Sequence, residues 1–381
     1  MEDPKIKYYP VGNGDTTLIK LSDETTILID INITSDSEDD SNDQKYDIKS
    51  DLIENELNKD SEGRPYVNAF ILSHPDQDHC RGFEDTFFLG KPSDYSESDS
   101  EDICIIINEL WFTPKIFDEN KVDLSSDAEA FVNEAKRRID KYENNQNGNT
   151  IVGNRLKIIG YGDNPELKGL DDLIFVPGNN VNTIDSDDKF DFSFFIHAPF
   201  KEDEDDRNDT SVVLQGKFDV DGNTNAGLAF IGGDSGFEIW KKILDRSDDD
   251  DLSWDLFLTP HHCSWSFFND TPSADNPEAT DSSIELLNKK RDNAIVIASC
   301  NPIKRNDNNP PHYKAKQEYI NIVEEENFLV TGEHPDESAP LPIIFEFSAN
   351  GPVKIDSGSL KEFLKATAVS EVSSTPQSYG K

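Results

Sequence analysis

Short apolar runs bounded by Gly, Pro, Asp, Asn or Ser recur along the chain, and this pattern is typical of buried strands. In the first half of the sequence, the runs predict strands near residues 5–11, 15–21, 25–31, 67–73, 103–107 and 155–161. In the second half, they predict strands near residues 190–198, 210–218, 226–233 and 254–260, and a closing strand pair near residues 328–332 and 342–356. The chain is therefore expected to be rich in β-structure.

Apolar positions at helical spacing lie between these runs. They predict helices near residues 48–59, 126–145, 237–245, 281–291 and 313–326. No apolar stretch is long enough to span a membrane, and no basic and apolar leader opens the sequence, so no membrane association is expected. The Ser- and Thr-rich residues 366–381 are predicted to be a disordered tail after a folded domain of residues 1–365.

The most informative polar positions follow directly after the predicted strand at residues 67–73. His74, Asp76, Asp78 and His79 fall within six residues. Because a proline follows His74, this residue is biased toward an extended backbone at the end of the strand. Imidazole and carboxylate are the usual ligands of zinc-like and manganese-like ions. The segment therefore predicts a metal site in preference to a solvated turn.

Further candidate ligands recur where other predicted strands end. Asp30 ends one apolar run, Asp234 ends a second, and His261 and His262 follow a third. The chain has only seven histidines, and four of them lie in the two histidine-containing clusters. Strand ends that converge on one edge of a sheet form a cleft, so we expect these side chains to meet there.

At these positions the sequence resembles the metallo-β-lactamase superfamily. That family carries H-x-H-x-D-H after a strand, then a strand-end Asp and a last His, whereas this chain has H-x-D-x-D-H with Asp76 in the second His position. The variant is similar to the hydrolase domain of bacterial competence (DNA-uptake) channel proteins, which carries S-H-P-D-x-D-H. The segments that match this branch in order are V-G-N-G-D at 11–15, N-x-x-S at 208–211, G-D at 233–234 and H-H-C-S at 261–264.

The resemblance implies an α/β protein, an αββα sandwich of two mixed β-sheets flanked by helices, without a membrane channel. It also implies two divalent metal ions, Mn²⁺ or Zn²⁺. We expect one ion at His74, Asp76 and a bridging Asp234. We expect the second ion at Asp78, His79 and either His261 or His262.

Two such ions would lower the pKa of a bound water to give a hydroxide nucleophile, and would polarise a phosphoryl or carbonyl oxygen. Asp234 suits the bridging position because a carboxylate has two oxygens. Asp76 offers a carboxylate oxygen, which is a harder ligand than the imidazole nitrogen of the usual histidine. This replacement favours manganese over zinc. Asp30 is expected to orient a ligand rather than to bind metal.

Residues outside the expected ligand set carry weaker predictions. The candidates for catalysis are Asp78, Asn208 and His312, with Asn208 binding substrate or forming a turn and His312 protonating the leaving group. His197, at the end of a predicted strand, is a candidate for a further imidazole ligand. Cys80 and Cys263 flank the expected ligands and are interpreted as small buried side chains rather than thiolate ligands.

The formal net charge of −41 changes the picture of possible substrates. It is concentrated in acidic runs that we place in surface insertions, at residues 36–43, 96–102, 202–206 and 247–251. Such a charge discourages adhesion to nucleic acid, so a polyanionic substrate would need a local basic strip or a partner. The four cysteines have no paired spacing, which predicts a reduced, cytoplasmic protein.

Three hypotheses for function remain open. The first is a dinuclear metal-dependent phosphodiesterase, in particular a nuclease, acting on nucleic acid or a nucleotide. The second is a hydrolase of a small cyclic nucleotide or an ester, which fits the acidic surface better. The third is an effector subunit of a multi-protein system, such as anti-phage defence, that is silent until a protein partner binds.

Overall fold

The computed structural model describes residues 2–34, 46–95, 103–117, 124–144, 146–162, 164–202 and 208–356. The acidic runs at 36–43 and 96–102, most of the run at 202–206, and the predicted tail at 366–381 lie outside the described residues.

The described residues form strands in every predicted region. In chain order these are β1 (Lys5–Tyr8), β2 (Thr17–Lys20), β3 (Thr26–Ile29), β4 (Asn58–Lys59), β5 (Pro65–Ile71), β6 (Phe87–Phe88), β7 (Ile105–Phe112), β8 (Arg155–Ile159), β9 (Ile174–Phe175), β10 (Asn180–Val181), β11 (Thr183–Ile184), β12 (Asp187–Asp188), β13 (Phe192–Ala198), β14 (Val213–Val220), β15 (Asn223–Ile231), β16 (Trp254–Leu258), β17 (Lys290–Ala298), β18 (Phe328–Val330), β19 (Ile343–Ser348) and β20 (Gly351–Lys354). The helices are α1 (Ile48–Asp51), α2 (Gln77–Cys80), α3 (Phe83–Thr86), α4 (Ser126–Asn144), α5 (Phe237–Arg246), α6 (Asp249–Leu252), α7 (Asp281–Leu287) and α8 (Tyr313–Val323).

The strands assemble into two large mixed sheets. The first has the order β20-β19-β1-β2-β3-β5-β7-β8-β9, with β4 beside β5 and β6 beside β7. The second has the order β10-β13-β14-β15-β16-β17-β18, and β11 pairs with β12 in a separate hairpin. Strands β3, β5, β7 and β8 are parallel neighbours, as are β15, β16 and β17. Within each parallel group, the strands therefore end at the same edge of their sheet.

Alternation along the strands builds three apolar cores. In β3, Ile27 and Ile29 belong to the core between the two sheets, whereas Leu28 belongs to the core outside the first sheet. That outer core includes Phe131 of α4, and a third core, outside the second sheet, includes Trp240 of α5. Helix, sheet, sheet and helix thus form four layers, and the predicted αββα sandwich is confirmed.

Two predictions for the second half of the chain were wrong. Residues 281–291 are not one helix, because α7 ends at Leu287 and the unpredicted strand β17 begins at Lys290. The polar residues 290–293 hide the apolar half of this strand from a search for apolar runs. The two closing segments do not pair with each other either, since β18 lies parallel to β17 in the second sheet and β19 lies antiparallel to β1 in the first.

Two further predicted helical segments contain shorter helices than the periodicity indicated. Residues 48–59 form α1, a π-helical turn over Leu52–Glu56, and then β4, instead of one helix. The predicted helix at 313–326 ends at Val323. Across the described ranges, none of the helices combines the length and the apolar character needed to cross a membrane.

Candidate metal centre

The loops that follow β3, β5, β15 and β16 bring their polar side chains to one edge of the sandwich. Asp30, the segment 74–79, Asp234 and the segment 261–262 come together there. Four of the buried residues at this edge each place one nitrogen or oxygen within 4.8 Å of the others: Asp15, His79, Asp234 and His262. The candidate ligands, which are far apart in sequence, therefore form one cluster.

Asp234 lies at the centre of this cluster, and its two oxygens face different imidazoles. Its Oδ1 atom lies 2.9 Å from His79 Nε2 and 3.5 Å from His262 Nε2. Its Oδ2 atom lies 3.5 Å from His261 Nε2 and 3.7 Å from His74 Nε2. The carboxylate predicted to bridge two ions is therefore placed between two separate pairs of ring nitrogens.

Two further carboxylates complete two sets of donors that share Asp234. Asp76 Oδ2 lies 3.8 Å from His74 Nε2, and Asp78 Oδ2 lies 3.3 Å from His262 Nε2. We call these the His74 set, with Asp76, His261 and Asp234, and the His79 set, with Asp78, His262 and Asp234. All the predicted ligands lie in these sets, and His261 and His262 each take a place where the sequence left a choice between them. The binding of ions by either set stays a prediction.

Several donor atoms of the cluster are buried without a hydrogen-bond partner among the described residues. They are His74 Nε2, both ring nitrogens of His262, and Asp15 Oδ1. Buried polar atoms are normally paired, so such a concentration at one place calls for a partner. Imidazole nitrogens and carboxylate oxygens are ligands of divalent cations, and the donor sets therefore fit two such ions.

Asp30 holds the imidazole of His79 from behind. It is buried and accepts hydrogen bonds from Ser73 N and Ser73 Oγ, each at 2.7 Å. His79 Nδ1 lies 2.7 Å from Asp30 Oδ2, which leaves Nε2 facing Asp234. A carboxylate behind a ligating imidazole fixes the ring orientation and raises its basicity, which is the orienting role predicted for Asp30.

Asp15 is a candidate for the same role toward His262, and in the sequence it stands out only as part of the V-G-N-G-D segment at 11–15. Asp15 Oδ1 lies 3.6 Å from His262 Nδ1, while His262 Nε2 faces Asp78. Asp15 comes just before β2, and β2 runs antiparallel to β3. The start of β2 therefore lies at the same edge of the sheet as the end of β3. A search for polar residues that considers only the ends of strands overlooks Asp15 for this reason.

The turn after β16 has an unusual backbone. His261, His262 and Cys263 have φ values of 49°, 53° and 67°, in the left-handed region that non-glycine residues rarely adopt. Within this turn the His261 N–H donates to Gly233 O at 3.0 Å, which joins it to the loop that carries Asp234. Strained conformations of this kind concentrate at functional sites, and here the turn directs two successive imidazoles toward one carboxylate.

The cluster is electrostatically coupled. Burial alone would lower the pKa of His79, but the Asp234 and Asp30 carboxylates raise it well above its usual value. Burial is likewise outweighed at His262, whose pKa is raised to about 10 by Asp234 and its other carboxylate neighbours. For Asp234, burial would raise the pKa, but His79 and His262 hold it well below the usual value. A cation that binds His79 or His262 would therefore compete with a proton for the imidazole nitrogen.

The N-x-x-S segment reaches the cluster through its serine. Asn208 begins a 3₁₀ turn over Asn208–Thr210, and Ser211 N donates to Asn208 O at 3.0 Å. Ser211 Oγ accepts the backbone N–H of Asp234 at 3.2 Å. Asn208 thus lies in a turn beside the loop of the bridging carboxylate, and its role toward substrate stays a prediction.

His312 and His197 lie outside both donor sets. His312 caps α8, because its Nδ1 accepts Lys314 N–H at 3.1 Å, and its Nε2 lies 2.8 Å from Ser273 Oγ. Proton transfer by His312 stays a prediction. His197 Nδ1 lies 3.1 Å from Ser247 Oγ, and burial lowers the pKa of His197 to about 3. The role of His197 as a further imidazole ligand stays a prediction.

The cysteines near the cluster are not in the donor sets. Burial raises the pKa of the Cys80 and Cys263 thiols to about 12. Both are buried and free of disulfides, so they pack as neutral thiols in the cores beside the site.

The fold and the site together define a four-layer αββα protein with a buried His–Asp cluster between strand ends of its two sheets. No protein-family model matches the sequence, and no curated protein matches it. Solved structures of metallo-β-lactamase fold do match at low similarity.

Three of these structures align with more than four fifths of this chain. Unliganded yeast PDE1 has a TM-score of 0.40 and 12% identity, over 93% of this chain and 98% of its own. CmlA, a diiron β-hydroxylase from Streptomyces venezuelae, has a TM-score of 0.35 and 10% identity, over 98% of this chain and 52% of its own. A long form RNase Z from yeast has a TM-score of 0.34 and 14% identity, over 82% of this chain and 40% of its own. The chain thus spans about half the length of CmlA and less than half of RNase Z. The closer resemblance to DNA-uptake domains stays a prediction.

The replacement Asp76→His is expected to preserve the fold and to shift the metal preference toward zinc. Asp76 is 30% exposed at its side chain and belongs to the His74 set, and imidazole is a softer ligand than carboxylate. Competitive loading with manganese and zinc, followed by metal analysis, measures the shift. Glu84→His, at an exposed position of α3, is the matched control. If the Asp76 variant keeps the wild-type preference between manganese and zinc, Asp76 is not a metal ligand.

Proposed function

We propose that the protein is a phosphodiesterase that depends on two divalent metal ions. The observation that carries this proposal is the position of Asp234, whose two oxygens face different imidazole pairs. Bound ions would supply an activated water and would polarise the phosphoryl oxygens of the substrate. The His74 set and the His79 set are the proposed holders of one ion each.

The residues around the ions have distinct tasks in this proposal. Asp30 and Asp15 orient His79 and His262 through their Nδ1 atoms, so that each Nε2 atom faces Asp234. These rings are buried, which fixes their positions before substrate arrives. The cost of organising the site is therefore met during folding rather than at the moment of reaction.

The partly exposed members of the donor sets define the side from which substrate approaches. Asp76, Asp78 and His261 have side-chain exposures of 30%, 34% and 27%, whereas the other ligands are almost fully buried. Burial would raise the pKa of Asp78, but His262 and His79 lower it, so its carboxylate is ionised. Asp78 can therefore accept a hydrogen bond from an approaching water, which is the catalytic role proposed for it.

Nucleic acids and small phosphodiesters are the two candidate substrate classes. The excess of 77 acidic over 36 basic residues repels a polyanion and favours the small substrate. Nucleic acid becomes the favoured substrate class if a basic protein partner covers the acidic runs. Such a partner belongs to the multi-protein system in which this chain would be an effector subunit. Manganese and zinc are the proposed ions.

Manganese-loaded or zinc-loaded protein is expected to hydrolyse bis(p-nitrophenyl) phosphate, and a chelator is expected to stop the reaction. The panel also contains single- and double-stranded DNA, RNA, cyclic dinucleotides and p-nitrophenyl acetate. Because screening weakens at low salt, DNA cleavage by the protein alone should fall as ionic strength is lowered, whereas cleavage of a small phosphodiester should change less. If no phosphodiester is cleaved with either metal, the proposal fails and the partner-dependent effector replaces it.

A further inference from the structure

Ser73 lies immediately before the segment 74–79, and its side chain is fully buried. Its backbone is held on both sides, because its N–H donates to Asp30 Oδ1 at 2.7 Å and its carbonyl accepts the N–H of Val212 at 3.0 Å. The side chain packs against Gly233, where an added Cβ would lie 3.0 Å from Ser73 Oγ. The hydroxyl therefore has a fixed position inside the cluster.

The direction of the hydrogen bonds at this hydroxyl follows from the chemistry of its neighbours. Ser73 Oγ lies 2.7 Å from Asp30 Oδ2, and because a carboxylate only accepts, the hydroxyl donates its single hydrogen there. His74 Nδ1 lies 3.0 Å from the same serine oxygen. Since the hydroxyl hydrogen is already used, the oxygen accepts from His74, and the His74 ring carries a hydrogen on Nδ1.

This tautomer leaves the lone pair of His74 Nε2 facing two carboxylate oxygens. The Nε2 atom lies 3.7 Å from Asp234 Oδ2 and 3.8 Å from Asp76 Oδ2. It is buried without a hydrogen-bond partner in the described part of the chain. A lone pair gains nothing from anionic oxygens unless a cation lies between them, so Ser73 selects the form of the ring that can bind an ion in the His74 set.

His79 receives the same carboxylate directly. Its Nδ1 atom lies 2.7 Å from Asp30 Oδ2 and 3.3 Å from Ser73 Oγ. The shorter contact, with the charged acceptor, is the stronger one. Asp30 thus supports one imidazole of each donor set, His79 directly and His74 through Ser73. Loss of the hydroxyl would therefore leave only His74 without its support.

We propose that Ser73 is a positioning residue that controls the affinity of the His74 set for its ion. This inference rests on the proposed function only in taking that set to bind a divalent ion. Partners behind a ligating histidine fix its tautomer and ring orientation, and losing one costs about 10–100-fold in metal affinity. Because His79 keeps its contact with Asp30, the effect is confined to one of two binding events.

Calorimetric titration of the metal-free protein with Mn²⁺ measures this effect. Ser73→Ala is expected to weaken one of the two binding events by about 10–100-fold and to leave the other unchanged. Ser283→Ala is the matched control, because Ser283 is a buried serine of α7 whose hydroxyl donates to Phe267 O at 2.8 Å. The control should keep both affinities. Equal weakening of both events, or no weakening, in Ser73→Ala would overturn the inference.

Two further backgrounds assign the weakened event to its donor set. Asp78→Ala removes a ligand of the His79 set, so the ion that remains should be the one that Ser73→Ala weakens. His261→Ala removes a ligand of the His74 set, so the ion that remains should not respond to Ser73→Ala. The opposite pattern would mean that Ser73 acts through His79, which contradicts the inference.

Nitrogen-15 NMR of the metal-free wild type at mildly alkaline pH tests the tautomer without replacing Ser73. The His74 ring, assigned with a His74→Ala variant, should carry its hydrogen on Nδ1 and none on Nε2. In Ser73→Ala the ring should populate both tautomers, which a role of Ser73 in folding alone would not produce. A wild-type ring with its hydrogen on Nε2 would refute the inference, even if Ser73→Ala failed to fold.

The outcomes distinguish this inference from the proposed function. If Ser73→Ala weakens one ion and the wild type cleaves none of the phosphodiesters in the panel, the role of Ser73 stands and the phosphodiesterase is rejected. If the wild type cleaves phosphodiesters and Ser73→Ala keeps both affinities, the phosphodiesterase stands and the role of Ser73 is rejected.

Discussion

Replacing Asp234 with alanine is expected to remove most of both bound ions and to abolish phosphodiester cleavage. This carboxylate is the only residue common to the His74 set and the His79 set, so its loss takes one ligand from each ion. It also removes the acceptor that lies 2.9 Å from His79 Nε2. Loss of several kcal/mol of transition-state stabilisation corresponds to at least roughly a hundredfold slower reaction.

Metal analysis of purified wild-type and variant protein measures this effect before any assay. Asp234→Asn keeps the shape of the side chain and should lose metal as well, because an amide is a weaker ligand than a carboxylate. Asp255→Asn is the matched control, since Asp255 is a buried carboxylate that accepts Leu228 N–H and pairs with Arg291. The control should keep both ions. Equal occupancy in the wild type and the Asp234 variants would rule out a bridging role.

Residues of the donor sets could be predicted from the sequence because of one rule of sheet topology. Parallel neighbours such as β3 and β5, or β15 and β16, end at the same edge, so polar residues after their apolar runs converge there. Asp30, His74 and Asp234 each follow such a strand. The short spacing between each polar residue and its strand made the position of the site predictable from the sequence pattern.

Features that depend on packing between distant segments were not predictable in this way. Asp15 reaches the cluster from the start of an antiparallel strand, where no apolar run precedes it. Strand β17 was hidden because four of its nine residues are polar, although its apolar residues pack between β16 and β18 in the second sheet. In each case the tertiary environment, not the local pattern, decides the outcome.

The partly exposed His261 and the fully buried His79 differ in how much they contribute to the stability of the fold. The sequence alone predicts that a ligand histidine can be removed with little change in the melting of the metal-free protein. The contacts of His261 agree with this expectation, because its side chain is 27% exposed and its Nε2 atom lies 3.5 Å from Asp234 Oδ2. His79 is different, since it is fully buried between Asp30 at 2.7 Å and Asp234 at 2.9 Å. Removing one partner from a buried charged group of this kind costs about 3–5 kcal/mol.

His79→Ala and His261→Ala are therefore both expected to abolish metal-dependent cleavage, but only His79→Ala should lower the melting temperature of the chelator-treated protein. The pKa of His79 is raised by Asp234 and Asp30 against the effect of burial, so its stabilisation is fully present below the ordinary histidine pKa of about 6.5. That stabilisation is lost as the pH rises through the raised pKa of His79 in the folded protein.

The difference in melting temperature between wild type and His79→Ala should thus be largest near or below about pH 6.5 and should shrink at higher pH. Thermal melts over a pH series, with His261→Ala as the matched control, measure it. Equal melting of all three proteins at every pH would show that the His79 contacts with Asp30 and Asp234 do not stabilise the fold.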